Sequence, residues 1–196
     1  MRKVLNVGGH SKKIALPAHY AGWEHVLLDI DPAGAPDVVC DAREMTRLQS
    51  GTYDSVYCSH NLEHYYRHDA MKVLAGFAHV LKRDGFVHIR VPDLAEVMRT
   101  AVEKKLDIDD VLYQSRDGPI TVRDVIYGHG LQIEQSGNEF YAHKNGFTKK
   151  SLVAILQRAG FPLVFARDGD LEVLALAFLD KPSAYAVKLL GLPPVG

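Results

Sequence analysis

The chain has 196 residues, 47% of them hydrophobic, which suits a folded domain with a full core rather than a disordered chain. Its 23 Lys and Arg against 24 Asp and Glu leave a formal charge of -1, so electrostatics give no case for nucleic acid as the main partner. Two cysteines, Cys40 and Cys58, exclude a disulfide scaffold, and no apolar run reaches the roughly 18 residues that span a membrane.

The first element in the chain is "KVLNV" (3–7), a short buried strand that runs into Gly8, Gly9 and His10. Its apolar run is broken at Asn6 and Gly8, so no secretory signal is expected and a cytoplasmic location follows by default. "HVLLDI" (25–30), "DVVCD" (37–41) and "YDSVYCS" (53–59) read as the next three strands. "HDAMKVLAGFAHVLKRDG" has apolar residues at Met71, Leu74, Phe77 and Leu81, a helical spacing, with Gly85 expected to close it. "GFVHIRV" (85–91) is a fifth strand, and Asp93 caps a helix over "DLAEVMRTAVEKKL". Residues 107–146 lack a clear period and read as an insertion over the strand ends, with one short helix near "VRDVIYG". Thr148 and Gly160 bracket an amphipathic helix, and "PLVFARDGDLEVLALAFLD" reads as a hairpin around "DGD". A short helix, "SAYAVKLLG", ends in an apolar tail that permits a homodimer contact.

Strand-then-helix order predicts an α/β fold, a doubly wound and mostly parallel seven-stranded sheet. The terminal hairpin must contain one antiparallel strand, which distinguishes this sheet from the dehydrogenase arrangement. No repeat or linker appears, so residues 1–196 are expected to form a single domain. Ligands of such sheets bind outside the carboxyl ends of the strands. Those ends carry Gly8-Gly9-His10, Asp29-Ile30-Asp31, Asp41-Ala42, Ser59-His60-Asn61 and Pro92-Asp93. Asp29 follows Gly8 by 21 positions, the spacing at which a carboxylate tops the neighbouring strand and can accept from ribose hydroxyls.

"LNVGG", "LLDIDP", "PDVVCDAREM", "YDSVYCSHNLEHY" and "VLKRDGFVHIRVPD" fall in an order that resembles the class I S-adenosylmethionine-dependent methyltransferases. The likeness is to the small bacterial members of the methyltransferase-type-11 kind, and it covers about 1–100 and 146–180. It implies a Rossmann-like fold and S-adenosyl-L-methionine as cofactor. It also implies that Gly8 and Gly9 let backbone approach the methionyl and ribose part, and that Asp29 binds the ribose. Ile30 would lie against the adenine, with Asp41 accepting from its amino group and the Ala42 amide facing a ring nitrogen. Ser59 and His60 would close the methionyl side. The family has glycine where this chain has His10, whose imidazole would narrow the pocket or reach the cofactor carboxylate.

Methyl transfer asks the protein for orientation and exclusion of water, and a hydroxyl acceptor also benefits from a base. His60, His143 and Asp93 are the catalytic candidates. His60 also reads as a pocket wall, and Asp93 as a simple helix cap. Glu63 is expected to satisfy backbone or pack beside the cofactor loop. His129 and His143, with Tyr127 and Tyr141, are candidates to shape an acceptor site in the insertion. The histidine spacing matches no compact ligand motif, so no metal is expected. The expected activity is methyl transfer to oxygen or nitrogen of a small-molecule or glycan acceptor. The alternative is a non-catalytic Rossmann-like binding module that has lost tight cofactor binding. A nicotinamide-dependent oxidoreductase is disfavoured, because G-x-G-x-x-G is absent.

Overall fold

The computed structural model of the protein describes residues 1–115 and 118–193. Five strands, β1 (Lys3–Val7), β2 (Glu24–Asp29), β3 (Val38–Val39), β4 (Tyr53–Ser59) and β5 (Leu81–Pro92), pair in parallel. The chain continues through the hairpin β6 (Val111–Ser115) and β7 (Gly118–Thr121), then returns to the sheet as β8 (Leu163–Asp168) and β9 (Glu172–Phe178). The sheet order is β3-β2-β1-β4-β5-β9-β8, and β9 pairs antiparallel with both neighbours. The fold is thus a seven-stranded, mostly parallel Rossmann-like sheet with one reversed strand, as the hairpin required. The strand order turns back between β1 and β4, which sets a crevice above their carboxyl ends.

Alternation along the strands sends side chains to two cores. Leu5, Val56, Val87 and Ile89 face the larger one, beneath α1 (Arg67–Val80) and α5 (Lys149–Arg158), which contribute Leu74, Phe77, Leu152 and Leu156. Val4, Tyr57 and Phe86 face the other, covered by Tyr20, Trp23 and α6 (Ala184–Leu190). Leu189, Leu190 and Leu192 of the apolar tail pack, partly buried, against this second core. Its last residues, 194–196, lie outside the described ones.

Three features depart from the sequence reading. The connections from β1 to β4 run through 3-10 turns at Ala18–Tyr20, Pro32–Gly34 and Ala42–Arg47 where the strand-then-helix order suggested α-helices; Pro17 and Pro32 start the first two. α1 ends at Val80 rather than running to Gly85; Leu81 instead pairs with Tyr53, and an irregularity in the ladder precedes the Ser55–Phe86 pair. The insertion is more ordered than expected. α2 (Leu94–Lys104) leads to the β6–β7 hairpin, α3 (Val122–Tyr127) and α4 (Gly130–Ser136), around a small core of Val97, Leu112, Val122 and Val125. α3 is the anticipated helix. α4 buries none of its residues, so it left no apolar period to read.

The insertion is fastened back over the crevice by backbone. The Lys144 and Asn145 amides donate to the Glu63 carbonyl, and the Leu94 amide donates to the Phe147 carbonyl. This holds residues 138–145 opposite the ends of β1, β2 and β4.

Candidate active site

Gly8 has φ of +69°, a conformation that costs an L-residue strain, and a Cβ there would sit 2.1 Å from the Asn61 side-chain nitrogen. The turn therefore brings β1 against the loop after β4 with no room for a side chain. His10 also takes a left-handed conformation, φ 55°, so it fits the backbone shape that glycine would supply at its position. Its amide donates to Asp29 Oδ2 at 3.0 Å, and the Asp31 amide donates to Asp29 Oδ1 at 3.0 Å. Asp29 is 8% exposed and fixed by two amides, which leaves acceptor capacity on each oxygen.

Gly8, His10, Asp29, Ile30, His60 and Asn61 line a chamber of about 300 Å³, closed on its far side by Gln132, Phe140, Tyr141 and His143 of the insertion. A side pocket of about 110 Å³ shares the Ile30, Asn61, His64 and Phe140 walls and reaches Asp41, Arg43, Tyr65 and Tyr66. The pair spans a size proper to a small-molecule site.

A second chamber, about 530 Å³, lies on the β5 and β9 side. His60, His129 and His143 line it as well as the first, so these imidazoles stand on the boundary. Its other walls include Arg90, Tyr113, Asp124, Asp170 and Glu172. Arg90 grips Glu172 with two hydrogen bonds, Nη2 to Oε1 at 2.7 Å and Nε to Oε2 at 3.1 Å. His60 Nε2 stands 3.2 Å from Glu172 Oε2. Crowding by the chain would lower the His60 pKa, but Glu172 and Glu63 override it and raise it to about 9. Burial would raise the Glu172 pKa, yet His60 and Arg90 hold it down to about 2. Burial pushes the His143 pKa down, which keeps that ring neutral.

Of the residues singled out from sequence, Gly8, His10, Asp29, Ile30 and His60 meet at the first chamber and Asp41 at the side pocket. Gly9 serves the turn from behind: a Cβ there would run into the Asn6 amide at 2.1 Å. Ala42 is buried at the first position of the turn that Asp41 caps, and Ser59 ends β4 without lining either chamber. Asp93 lies apart, accepting from the Ala95 amide as the cap of α2. Asp41 is already engaged: Arg43 reaches it with Nε, Nη2 and the backbone amide. Glu63 does not satisfy backbone with its side chain. It is 1% exposed, and neither carboxylate oxygen has a hydrogen-bond partner among the described residues. His60 Nδ1, at 3.5 Å from Oε1, is too far for a good bond.

The sequence reading missed Arg90, Glu172, Gln132, Asn138 and Phe140, while Tyr141, which it named, does line the first chamber. The one available signal was a pair of charges inside otherwise apolar strand ends, Arg90 in "HIRV" and Glu172 in "LEVLAL".

Residues 5–89 match the family model described as methyltransferase domain. No curated protein matches the chain. Among solved structures, one similar fold is an S-adenosylmethionine-dependent methyltransferase from Archaeoglobus fulgidus, 16% identical, covering 90% of this chain and 85% of that one at a TM-score of 0.57. Another is 1,6-didemethyltoxoflavin-N1-methyltransferase from Burkholderia thailandensis, with 1,6-didemethyltoxoflavin and S-adenosylhomocysteine bound. It is 16% identical, covering 90% and 71% of the two chains at a TM-score of 0.51. An O-methyltransferase family protein from Burkholderia thailandensis is 14% identical, covering 93% and 52% at a TM-score of 0.53. At these identities the likeness is one of fold.

Proposed function

We propose that the chain is a class I S-adenosylmethionine-dependent methyltransferase that transfers a methyl group to an oxygen or nitrogen of a small-molecule or glycan acceptor, a reading supported by the methyltransferase-domain match over residues 5–89 and by the likeness of fold. The cofactor, S-adenosyl-L-methionine, supplies an already activated methyl group, so the chain's task is to orient two ligands and exclude water.

The observation that carries this reading is the Asp29 carboxylate, buried at the chamber wall, fixed by two amides and still able to accept. That chemistry fits the two hydroxyls of a ribose, and the Gly8 turn beside it leaves bare backbone where a ligand can approach. Ile30 and Phe140 give the side pocket apolar walls for a nucleobase. The fit is incomplete at Asp41. An adenine amino group would have to displace one Arg43 contact to be accepted there.

The second chamber is the acceptor chamber in this reading. Its walls are polar and charged, as a hydroxyl- or amine-bearing acceptor needs, and it meets the first at His60 and His143. His60, tied to Glu172, holds its position as a wall and hydrogen-bond donor. His143 turns Nδ1 to the Val125 carbonyl at 2.9 Å, which requires a proton there and leaves Nε2 as the ring atom available at the boundary of the two chambers. Residues 107–146 act as the acceptor wall of a single domain spanning the chain.

A non-catalytic binding module is the second reading. It is favoured by the occupied Asp41 and by His10 in the glycine turn. Titration with S-adenosylhomocysteine separates the two. The expected result is a thermal-stability rise with a micromolar Kd, and Asp29→Ala should weaken binding by roughly 100-fold, the loss of charge-assisted hydrogen bonds worth about 3 kcal/mol. No stability shift in the wild type would favour the module. An undiminished response in Asp29→Ala would remove Asp29 from the ribose role.

A further inference from the structure

One ligand atom each from Glu63, His64 and His143 lies within 4.8 Å of the other two, on the boundary between the two chambers. The three residues come from distant parts of the chain, the turn after β4 and the returning end of the insertion. Both histidines have Nδ1 turned to a backbone carbonyl, His64 to Ala142 at 3.2 Å and His143 to Val125 at 2.9 Å. A carbonyl can only accept, so each ring carries a proton on Nδ1 and, when neutral, has its lone pair on Nε2. That is the outer-shell arrangement that fixes a metal-ligating histidine in its tautomer. The third group is the Glu63 carboxylate, 1% exposed, with both oxygens unpartnered among the described residues. His60 Nδ1, 3.5 Å from Oε1, eases the burial of that charge but stands too far to hydrogen-bond well, so both oxygens keep lone pairs that a cation could take.

We propose that Glu63, His64 and His143 form a binding site for one divalent transition-metal ion of the zinc class. Two imidazoles and a carboxylate are a donor set such ions take while keeping a coordination position open. Glu63 and His143 line the second chamber, so the open position faces a ligand there. The ion would also pin the insertion to the β4 loop, since His143 sits beside the Lys144 and Asn145 amides that already bond the Glu63 carbonyl. That the ion meets the methyl acceptor rests on the methyl-transfer reading; the binding itself does not.

The test uses the full chain, stripped with a chelator, titrated with Zn2+ by calorimetry and with Co2+ by visible absorption. The expected result is one equivalent bound at micromolar Kd or tighter, with the d–d bands of low-coordinate Co2+ and a rise in unfolding temperature. Glu63→Gln and His143→Ala should each weaken binding by at least roughly tenfold, whereas His68→Ala, an exposed histidine outside the cluster, should not. Glu63→Gln removes a buried charge and keeps the shape, so it reports on the site even if His143→Ala folds poorly. Absence of binding by the wild-type chain, or binding that Glu63→Gln leaves intact, overturns the site. S-adenosylhomocysteine binding on the same preparations separates the two ideas. Cofactor-product binding without metal binding overturns the metal site alone, and metal binding without it overturns the methyl-transfer reading alone.

Discussion

The two sides of the crevice are built differently. The first chamber takes most of its floor from the tips of β1, β2 and β4, each within a few residues of its strand, and the groups there are fixed by neighbouring amides. The second chamber is assembled over long range. His60 meets Glu172 across 112 positions, and Arg90 meets Glu172 across 82. The first side is a turn geometry that any sequence with the right tips reproduces. The second is a charge arrangement that exists only once the hairpin and the insertion have docked.

The sharpest way to break this contrast is Gly8→Ala. The added methyl meets Asn61 at 2.1 Å in a left-handed backbone. Strain of about 1–2 kcal/mol and overpacking of about 1–3 kcal/mol add to roughly 3 kcal/mol. At about 2–4 °C per kcal/mol for a chain of this size, the unfolding temperature should fall by about 10 °C, with loss of S-adenosylhomocysteine binding. A variant that melts and binds as the wild type does would show that the turn is not preformed.

Glu172→Gln probes the other side through pH. The Glu172 pKa lies at about 2 in the fold against an ordinary 4.5. A depressed carboxylate contributes stability that is fully present above about 4.5 and is lost as pH falls through about 2. The shift sets a ceiling of about 3 kcal/mol; Arg90 is partly open to solvent, which brings the expected contribution nearer 2 kcal/mol. Wild type and variant should therefore differ by about that amount at neutral pH and converge toward pH 2, by denaturant titration at several pH values. A gap that stays constant down to pH 2 would mean that the Arg90–Glu172–His60 chain contributes nothing through ionisation.

The same contrast governs what the sequence could reveal. The parallel strands, the reversed one and the carboxylate 21 positions after Gly8 were legible because strand periodicity and tip positions are local properties. The 3-10 connections were not, since no periodic pattern was read between the first four strands and 3-10 turns leave none. Nor could the sequence show that Arg43 folds back on Asp41, a contact made by one rotamer. The Glu63–His64–His143 cluster defeated motif reading for a plainer reason. Two of its members are adjacent but the third is 79 positions on, and only the docking of residues 142–145 onto the Glu63 carbonyl unites them. Spacing rules detect ligands on one helix or one loop, not ligands joined by a returning insertion.

The smallest expected effect belongs to His10, which combines a glycine-like backbone with an imidazole that glycine would lack. Its backbone serves Asp29 through the amide, and its imidazole lies exposed at the chamber mouth. His10→Ala removes the ring but keeps the strained left-handed conformation, whereas His10→Gly removes both. If only the backbone matters, His10→Ala should bind S-adenosylhomocysteine within about threefold of wild type, under 1 kcal/mol. His10→Gly should then gain about 0.5 kcal/mol of stability, because relief of roughly 1 kcal/mol of strain is partly offset by glycine's greater freedom when unfolded. A drop in affinity beyond tenfold in both variants would instead make the imidazole a cofactor contact, and would give the first chamber a side-chain contact that its glycine-turn geometry does not require.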